Sequence, residues 1–302
     1  MATLYTEQRK NTEKTWFLMT VFLVLVIVLG WLISFYYNNQ AILYIAIVFS
    51  LVMNLASYWW SDKIVLSLAG AHPASHDENV GLYHIIENLS ITAGLPMPKI
   101  YIIQDSAPNA FATGRDKQHA VVAVTTGLLA MLDKNELEGV VAHELSHIGN
   151  RDILLQSVIV VLVGLIAILS DMFIRSRFIF GSNNREEGGG IMAIVGIIFI
   201  VLSPIIATLI QLAVSRQREF LADSSGALLT RYPEGLASAL EKIGSYNQPM
   251  QKASNAMAHM YIANPFGLSA QAGAKAGRGV AKLFMTHPPI EERVARLRGM
   301  SF

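Results

Sequence analysis

Two histidines and a glutamate near the middle of the chain have the types and the spacing of a catalytic metal site. The segment reads His143-Glu144-Leu145-Ser146-His147. On a helix, residues four apart project from one face about one turn apart, so both imidazoles can reach one metal ion. Glu144 lies between them, where its carboxylate can reach a water on the metal and act as a general base. The spacing predicts zinc-dependent peptide hydrolysis, with His143 and His147 as metal ligands and Glu144 as the catalytic residue.

A catalytic zinc site needs a third protein ligand and keeps one position open. Glu219 and Asp223 are also four residues apart, in a predicted helix. We expect Glu219 to bind the Zn²⁺, one ion per chain, and Asp223 to accept the outer N–H of a ligand histidine. Acidic pairs at this spacing are common on solvated helix faces, so the pair alone is weak evidence for a metal site. Together with the two histidines it is strong evidence. The chain has no cysteine, so a metal site must come from His, Asp and Glu.

The elements that must position these residues can be predicted from local patterns. The helix that carries the histidines begins with Asp133 as N-cap and Glu136 three positions later, the pattern of a capping box. Other helices are expected near 79–93, 217–229, 233–246 and from Pro288-Pro289 to Arg298, and strands at 99–103 and 120–124. Residues 248–282, rich in Ala, Gly, Gln and Asn, are expected to form a long mobile segment.

The composition indicates a membrane protein. Charged residues make up 15% of the chain, whereas a soluble protein has roughly a quarter, and the mean hydropathy is +0.42. Four uncharged apolar runs, 16–37, 41–60, 153–170 and 191–214, are close to or above the length that spans a bilayer. The net charge of +1 argues against nucleic acid as a partner.

The charges beside these runs predict an orientation and a domain division. Arg9, Lys10 and Lys14 precede the first run and Lys63 follows the second, so the N-terminus and everything after residue 61 are expected in the cytoplasm. Residues 1–60 would be a transmembrane hairpin, 61–152 and 215–302 a discontinuous protease domain, and 153–214 a second membrane hairpin. Arginines on both sides of the second hairpin leave open whether it spans the membrane, is re-entrant or packs against protein. A hairpin returns to where it left, which would bring His147 and Glu219 together.

Three motifs together resemble those of the HtpX family of bacterial membrane zinc metalloproteases, within the wider group that includes the CAAX prenyl proteases. They are Val141–His147, Glu219–Asp223 and Phe284-Met285-Thr286-His287-Pro288-Pro289, and the likeness covers nearly the whole chain. It implies a mainly α membrane protein with four hydrophobic helices and a cytoplasmic α+β zincin-like (gluzincin) protease domain. It also implies cleavage of damaged or misfolded membrane proteins at the cytoplasmic face of the bacterial inner membrane, in quality control and the stress response.

The same resemblance implies that Asn109, in an Asn-Ala-Phe-Ala motif, and His287 line the cleft, hold substrate and stabilise the tetrahedral intermediate. Without it, they would be read as a turn asparagine and a histidine at a helix N-terminus. The stretch around Asn109 is a candidate exposed edge strand that could take up an extended substrate chain by strand addition.

Three other functions fit parts of the pattern. An intramembrane protease would carry the motif inside an apolar span, whereas here charged residues lie on both sides of it. A CAAX-type processing protease shares the site but needs a large enclosed chamber, for which four spans look too few. A non-catalytic membrane scaffold would hold a structural zinc, which four protein ligands usually close. The sequence predicts neither the physiological substrates nor the oligomeric state.

Overall fold

The computed structural model describes residues 4–180, 216–254, 256–267 and 288–300. Its first two helices, α1 (Leu4–Tyr36) and α2 (Ala41–Trp59), form an antiparallel hairpin. Both leave large apolar side chains exposed, among them Trp31, Phe35, Ile45 and Leu55. An apolar surface of that extent is stable only against an apolar solvent or partner, as expected for membrane helices.

Two helices in the described ranges, α1 and α2, are long and apolar enough to cross a membrane. A third candidate arises only if α6 (Lys134–Gly149) and α7 (Asp152–Phe180), which meet at an angle of 85°, are counted as one bent span. The predicted third apolar run lies within α7, and the fourth, 191–214, falls outside the described residues. Of the four predicted membrane helices, the described residues therefore contain the two that form the N-terminal hairpin.

A small mixed β-sheet follows the membrane hairpin in the sequence. Helix α3 (Ser61–Ala69), β1 (Ala71–Pro73) and α4 (Val80–Ala93) precede β2 (Lys99–Ile103), β3 (Ala110–Gly114), β4 (Ala120–Thr125) and the short α5 (Thr126–Met131). The strand order is β1-β2-β4-β3, with β2 and β4 parallel and the outer strands antiparallel to their neighbours. The predictions of α4, β2 and β4 are confirmed. The strand β1 was not predicted, because three residues are too few to show a periodicity.

Three more helices complete the domain: α8 (Arg216–Thr230) and α9 (Pro233–Ser245) pack against α6, and α10 (Ile290–Arg298) packs against α8 and α9. All three agree with the predicted helices to within about a residue or two at each end. A glycine allows α8 to approach α6 closely, since a Cβ at Gly226 would lie 3.0 Å from the backbone nitrogen of His143. That close approach brings the two helices with the candidate ligands side by side.

The beginning of α7 is buried in protein. Ile153, Leu155, Val158, Ile159 and Leu162 are each at most 1% exposed, and α7 contacts α1, α3 and β3. The first turns of the predicted second hairpin thus pack against protein; the proposal that 153–214 forms a membrane hairpin stays a prediction.

The prediction of a mobile segment at 248–282 is wrong for its described part. Met257, Met260, Tyr261 and Ile262 are at most 5% exposed and belong to the apolar cores. The ring of Tyr261 meets Phe111 of β3 edge to face, with centroids 5.4 Å apart. Composition misled here because most of the large apolar residues of the segment lie close together, between 250 and 268, and the rest of it is small or polar. Residues 268–282 lie outside the described ranges.

Candidate metal centre

Helix α6 is held at its start by a capping box that also reaches a second helix. The Asp133 carboxylate accepts from the Glu136 N–H at 3.0 Å, and the Glu136 carboxylate accepts from the Asp133 N–H at 2.9 Å. Glu136 further accepts from the Ser238 hydroxyl at 2.6 Å and from Lys242 at 2.7 Å, both on α9. The helix that carries the histidines is therefore fixed at its start against α9.

The structure brings His143, His147 and Glu219 together. The two Nε2 atoms are 3.2 Å apart, and the Glu219 carboxylate oxygens lie 3.9 Å from His143 Nε2 and 3.8 Å from His147 Nε2. All three side chains are buried, and one donor atom from each lies within 4.8 Å of the others. Bonds of about 2.0–2.1 Å in a tetrahedron place ligand atoms roughly 3.3–3.5 Å apart. The donor set fits a zinc ion after shifts of a few tenths of an ångström.

The outer nitrogen of each histidine contacts a carboxylate. His143 Nδ1 lies 3.0 Å from Asp223 Oδ1, and His147 Nδ1 lies 3.0 Å from Asp152 Oδ2. Because a carboxylate can only accept, each ring carries a proton on Nδ1 and turns Nε2 toward the other ligands. In its neutral form, each ring is thus held in the tautomer that binds metal.

A buried arginine binds the Asp223 carboxylate. Arg293 of α10 is fully buried and donates to both Asp223 oxygens, and its Nη1 donates to the Ile262 carbonyl at 3.2 Å. The same Nη1 lies 3.9 Å from the Glu219 carboxylate. Arg293 therefore offsets part of the negative charge that Glu219 and Asp223 bring into the site.

The surroundings of the two histidines shift their pKa values in opposite directions. Burial, with the nearby Arg293 charge, lowers the pKa of His143 to about 4, against the opposing effect of Asp223. Burial also disfavours a charge on His147, but the hydrogen bond with Asp152 and the charge of Glu219 raise its pKa to about 9. Without metal, His143 is neutral and His147 charged at neutral pH, so a metal ion must displace the proton of His147.

Glu144 lies beside the three candidate ligands and is 2% exposed. Burial and the charge of Glu219 raise its pKa to about 7, although the backbone N–H of Ala112 donates to its carboxylate and favours the charged form. A carboxylate with a pKa near neutrality can take up a proton and release it again at physiological pH. The strand β3, through Ala112, thus contacts the residue predicted to act as the base.

Asn109 directly precedes β3 and is 2% exposed. Its amide donates to the Ala263 carbonyl at 3.1 Å and accepts from the Ala263 N–H at 3.3 Å. Next to it, the Ala110 carbonyl accepts from the Ile262 N–H at 3.0 Å. The prediction of an exposed edge strand is therefore wrong here: β3 is the edge of the sheet, but all its residues are buried and the chain's own 262–263 segment covers its beginning. His287 lies outside the described residues.

Sequence reasoning missed Arg293 and Asp152. Arg293 falls on the buried face of α10 with Val294 and Leu297, and a lone arginine on the apolar face of an amphipathic helix is the signal that could have identified it. Asp152 directly precedes the third apolar run, five residues after His147, where it could have been considered as a partner of that histidine.

Comparisons with known proteins agree with this geometry. The family model described as peptidase family M48 matches residues 77–301. A protein named Protease HtpX homolog from Thermoanaerobacter pseudethanolicus is 46% identical over 99% of this chain and 98% of its own length. A homolog of the same name from Dictyoglomus turgidum is also 46% identical, over 99% and 95%.

Among solved structures, Ste24p of S. mikatae matches with a TM-score of 0.50 at 19% identity, which speaks for the fold alone. The match covers 90% of this chain and 62% of the Ste24p chain. Since the family model covers most of the chain and the relatives match over nearly their whole length, the chain belongs to peptidase family M48 and is a membrane metalloprotease.

Proposed function

We propose that this protein is a zinc-dependent endopeptidase that cleaves damaged or misfolded membrane proteins at the cytoplasmic face of the bacterial inner membrane, in quality control and the stress response. The observation that carries the proposal is the buried cluster of His143, His147 and Glu219 beside Glu144. The names of the relatives support a protease, and the donor set supports zinc as its metal.

His143, His147 and Glu219 would hold the zinc, which when bound acidifies a water and polarises the scissile carbonyl. The chain's own contribution is to present these donors already oriented. Asp223 and Asp152 hold the two Nδ1–H groups, and Arg293 holds Asp223. Three protein ligands among the described residues favour a catalytic site over a structural one, which four usually close.

Glu144 would be the general base. Its carboxylate accepts the proton that the attacking water loses, and then returns that proton to the departing amine. Its raised pKa, about 7, suits both transfers. Asn109 and His287 would hold the substrate and help to stabilise the tetrahedral intermediate; for Asn109, the support is that its amide already binds a peptide backbone, that of Ala263.

The position of the site favours substrates at the membrane surface. The polar beginning of α1 contacts the corner between α6 and α7, where Gln8 donates to the Gly149 carbonyl at 2.7 Å, and the apolar run of α1 begins at Trp16. The candidate ligand His147 is thus close to the end of a membrane helix. Loops and unfolded stretches of integral membrane proteins are the chains that reach this position.

The protease domain would be discontinuous, formed by 61–152 and 215–302, with the hairpin 1–60 before it and the hairpin 153–214 inserted. The support is the packing of α6 against α8 and α9 across the insertion. The positive residues before the first span and after the second favour a cytoplasmic domain. A CAAX-type processing activity is the second candidate, raised by the family resemblance, and cleavage of a farnesylated peptide in preference to unfolded membrane protein would favour it.

Zinc dependence and substrate class can be tested together on the purified full-length protein in proteoliposomes. A model membrane protein is offered in folded and unfolded form, before and after chelation and after zinc is returned. We expect cleavage of the unfolded form, its loss on chelation and its recovery with zinc. Cleavage that persists in the metal-free protein would contradict the proposal, and cleavage confined to folded substrate would contradict the quality-control role.

A further inference from the structure

The first membrane helix contacts the metal centre through an asparagine. The part of α1 that precedes its apolar run lies against the corner between α6 and α7. There, Asn11 is 1% exposed, and its amide nitrogen donates to the Asp152 carboxylate and to the Asn150 carbonyl, the latter at 3.3 Å. Asp152 is the carboxylate that faces the outer nitrogen of His147.

The two oxygens of Asp152 are divided between these partners. Oδ1 accepts from Asn11, and Oδ2 accepts from His147 Nδ1 at 3.0 Å. Asp152 is itself fully buried, and a buried carboxylate is stable only where donors compensate for its lost hydration. With both oxygens bound, the carboxylate has one orientation, and the His147 ring that it holds has one orientation as well. We infer that Asn11 is a positioning residue for the metal centre and acts through Asp152 on His147.

Helix packing alone does not account for an asparagine at this position. The Asn11 side-chain oxygen is buried and has no hydrogen-bond partner among the residues that the structure describes. An unpaired buried oxygen destabilises the fold, and an apolar side chain of similar size would avoid that cost. The amide oxygen is therefore a cost at this position, and the two hydrogen bonds that the amide nitrogen donates are what the asparagine adds.

Asn11 and Arg293 have corresponding roles on the two sides of the site. Arg293 holds Asp223, which faces His143, and Asn11 holds Asp152, which faces His147. One support comes from the C-terminal helix and the other from the first membrane helix. The match to the peptidase family begins at residue 77, so Asn11 supports the centre from outside the matched region.

This inference rests on the proposed function, because it takes His147 as a zinc ligand. It makes metal binding and docking of α1 reciprocally linked: a docked helix strengthens zinc binding, and bound zinc strengthens docking by the same free energy. Loss of a residue that orients a metal ligand typically weakens metal binding 10–100-fold.

The test measures zinc affinity at equilibrium, by competition with a chelator, on the full-length protein in detergent. For Asn11→Leu we expect zinc binding about 10–100-fold weaker than in the wild type. Gln8→Leu is the matched control, since it removes another α1 hydrogen bond to the same corner without contacting Asp152, and we expect a change below about threefold. Thermal unfolding of the metal-free proteins reports docking separately. A wild-type affinity in folded Asn11→Leu, or an equal loss in Gln8→Leu, would overturn the inference.

A double-mutant cycle shows whether Asn11 acts through Asp152. In the Asp152→Asn background, Asn11→Leu should cost no further affinity, whereas independent, additive losses would contradict the proposed route. If Asn11→Leu does not fold, the two side chains can be exchanged between positions 11 and 152 as a second test. Asn11→Asp alone should weaken zinc binding, and Asn11→Asp with Asp152→Asn should recover part of the lost affinity. No recovery counts against the inference.

The outcomes separate this inference from the proposed function. If the wild-type protein binds no zinc, the proposed function fails. If the wild-type protein binds zinc and cleaves substrate, and Asn11→Leu has the same zinc affinity, only the role of Asn11 fails.

Discussion

Arg293 binds Asp223 through both carboxylate oxygens, with its Nε 2.9 Å from Oδ2 and its Nη2 2.6 Å from Oδ1. The pair joins α10 to α8, and both residues are at most 2% exposed. Burial raises the pKa of Asp223, but the charge and hydrogen bonds of Arg293, with the bond from His143, outweigh it and lower the pKa to about 2. Asp223 is therefore charged at every physiological pH and stays an acceptor for His143.

Removing Arg293 should leave Asp223 as an uncompensated buried charge. We expect Arg293→Met to lower the free energy of unfolding by about 3–5 kcal/mol, and Arg293→Met with Asp223→Leu to lose less than the sum of the single variants. Arg296→Met is the control, since Arg296 is half exposed and pairs with Glu292 at 3.0 Å; its effect should stay below about 1 kcal/mol. Thermal unfolding measures all four, and equal effects of Arg293→Met and Arg296→Met would contradict the assignment.

Glu219 is the predicted third metal ligand. Glu219→Ala removes one of three protein donors, so the purified variant should lose stoichiometric zinc and, with it, cleavage. Glu241→Ala is the control, because that carboxylate lies on the surface and pairs with Arg298 at 2.7 Å. Metal content by elemental analysis compares the two variants. One zinc per chain in Glu219→Ala would remove Glu219 from the ligand set.

The capping box of α6 should show in the pH dependence of stability. Burial raises the pKa of Glu136, but the hydrogen bonds from Lys242, Ser238 and the Asp133 N–H outweigh it and lower the pKa below its ordinary value of 4.5. Its ionised form thus stabilises the fold above about pH 4.5, and this contribution is lost as the pH falls through the folded-state pKa. Glu136→Gln should be less stable than the wild type at neutral pH by about 1–2 kcal/mol, with the difference shrinking below pH 4.5.

The control for this experiment is Glu138→Gln, whose carboxylate is 3.8 Å from Lys134 on the surface of the same helix. Thermal unfolding midpoints between pH 3.5 and 7.5 compare the three proteins. A difference between wild type and Glu136→Gln that stayed constant across this range would show that the Glu136 charge contributes nothing.

The orientation in the membrane can be tested directly, because the chain contains no cysteine. Asn39→Cys places a thiol in the exposed turn between α1 and α2, and Tyr232→Cys places one between α8 and α9, at a side chain that is half exposed. With a membrane-impermeant maleimide, we expect position 39 to react in intact spheroplasts and position 232 only after lysis. The unmodified chain gives the background, and the reverse pattern would place the protease domain outside the cytoplasm.

Local rules were sufficient for the elements that carry the site. The capping box, the helical spacing of the histidines and the β-branched runs depend on neighbours in the chain, and α6, β2 and β4 were predicted from them. The partners of the site were not: Arg293 lies 70 residues from Asp223, and Asn11 lies 141 residues from Asp152. Such contacts depend on which helices pack together, and no local pattern encodes that. The burial of residues 256–263 escaped prediction for the same reason, since it depends on packing against β3.

The most direct test of the proposed chemistry compares wild type with Glu144→Gln in parallel assays of zinc content and cleavage. Glutamine keeps the size of the side chain and can still accept the N–H of Ala112, but it cannot take up a proton from water. We expect one zinc per chain in both proteins and a cleavage rate lower by at least about a hundredfold in the variant. A zinc-loaded Glu144→Gln protein that cleaves an unfolded membrane protein at the wild-type rate would contradict the account.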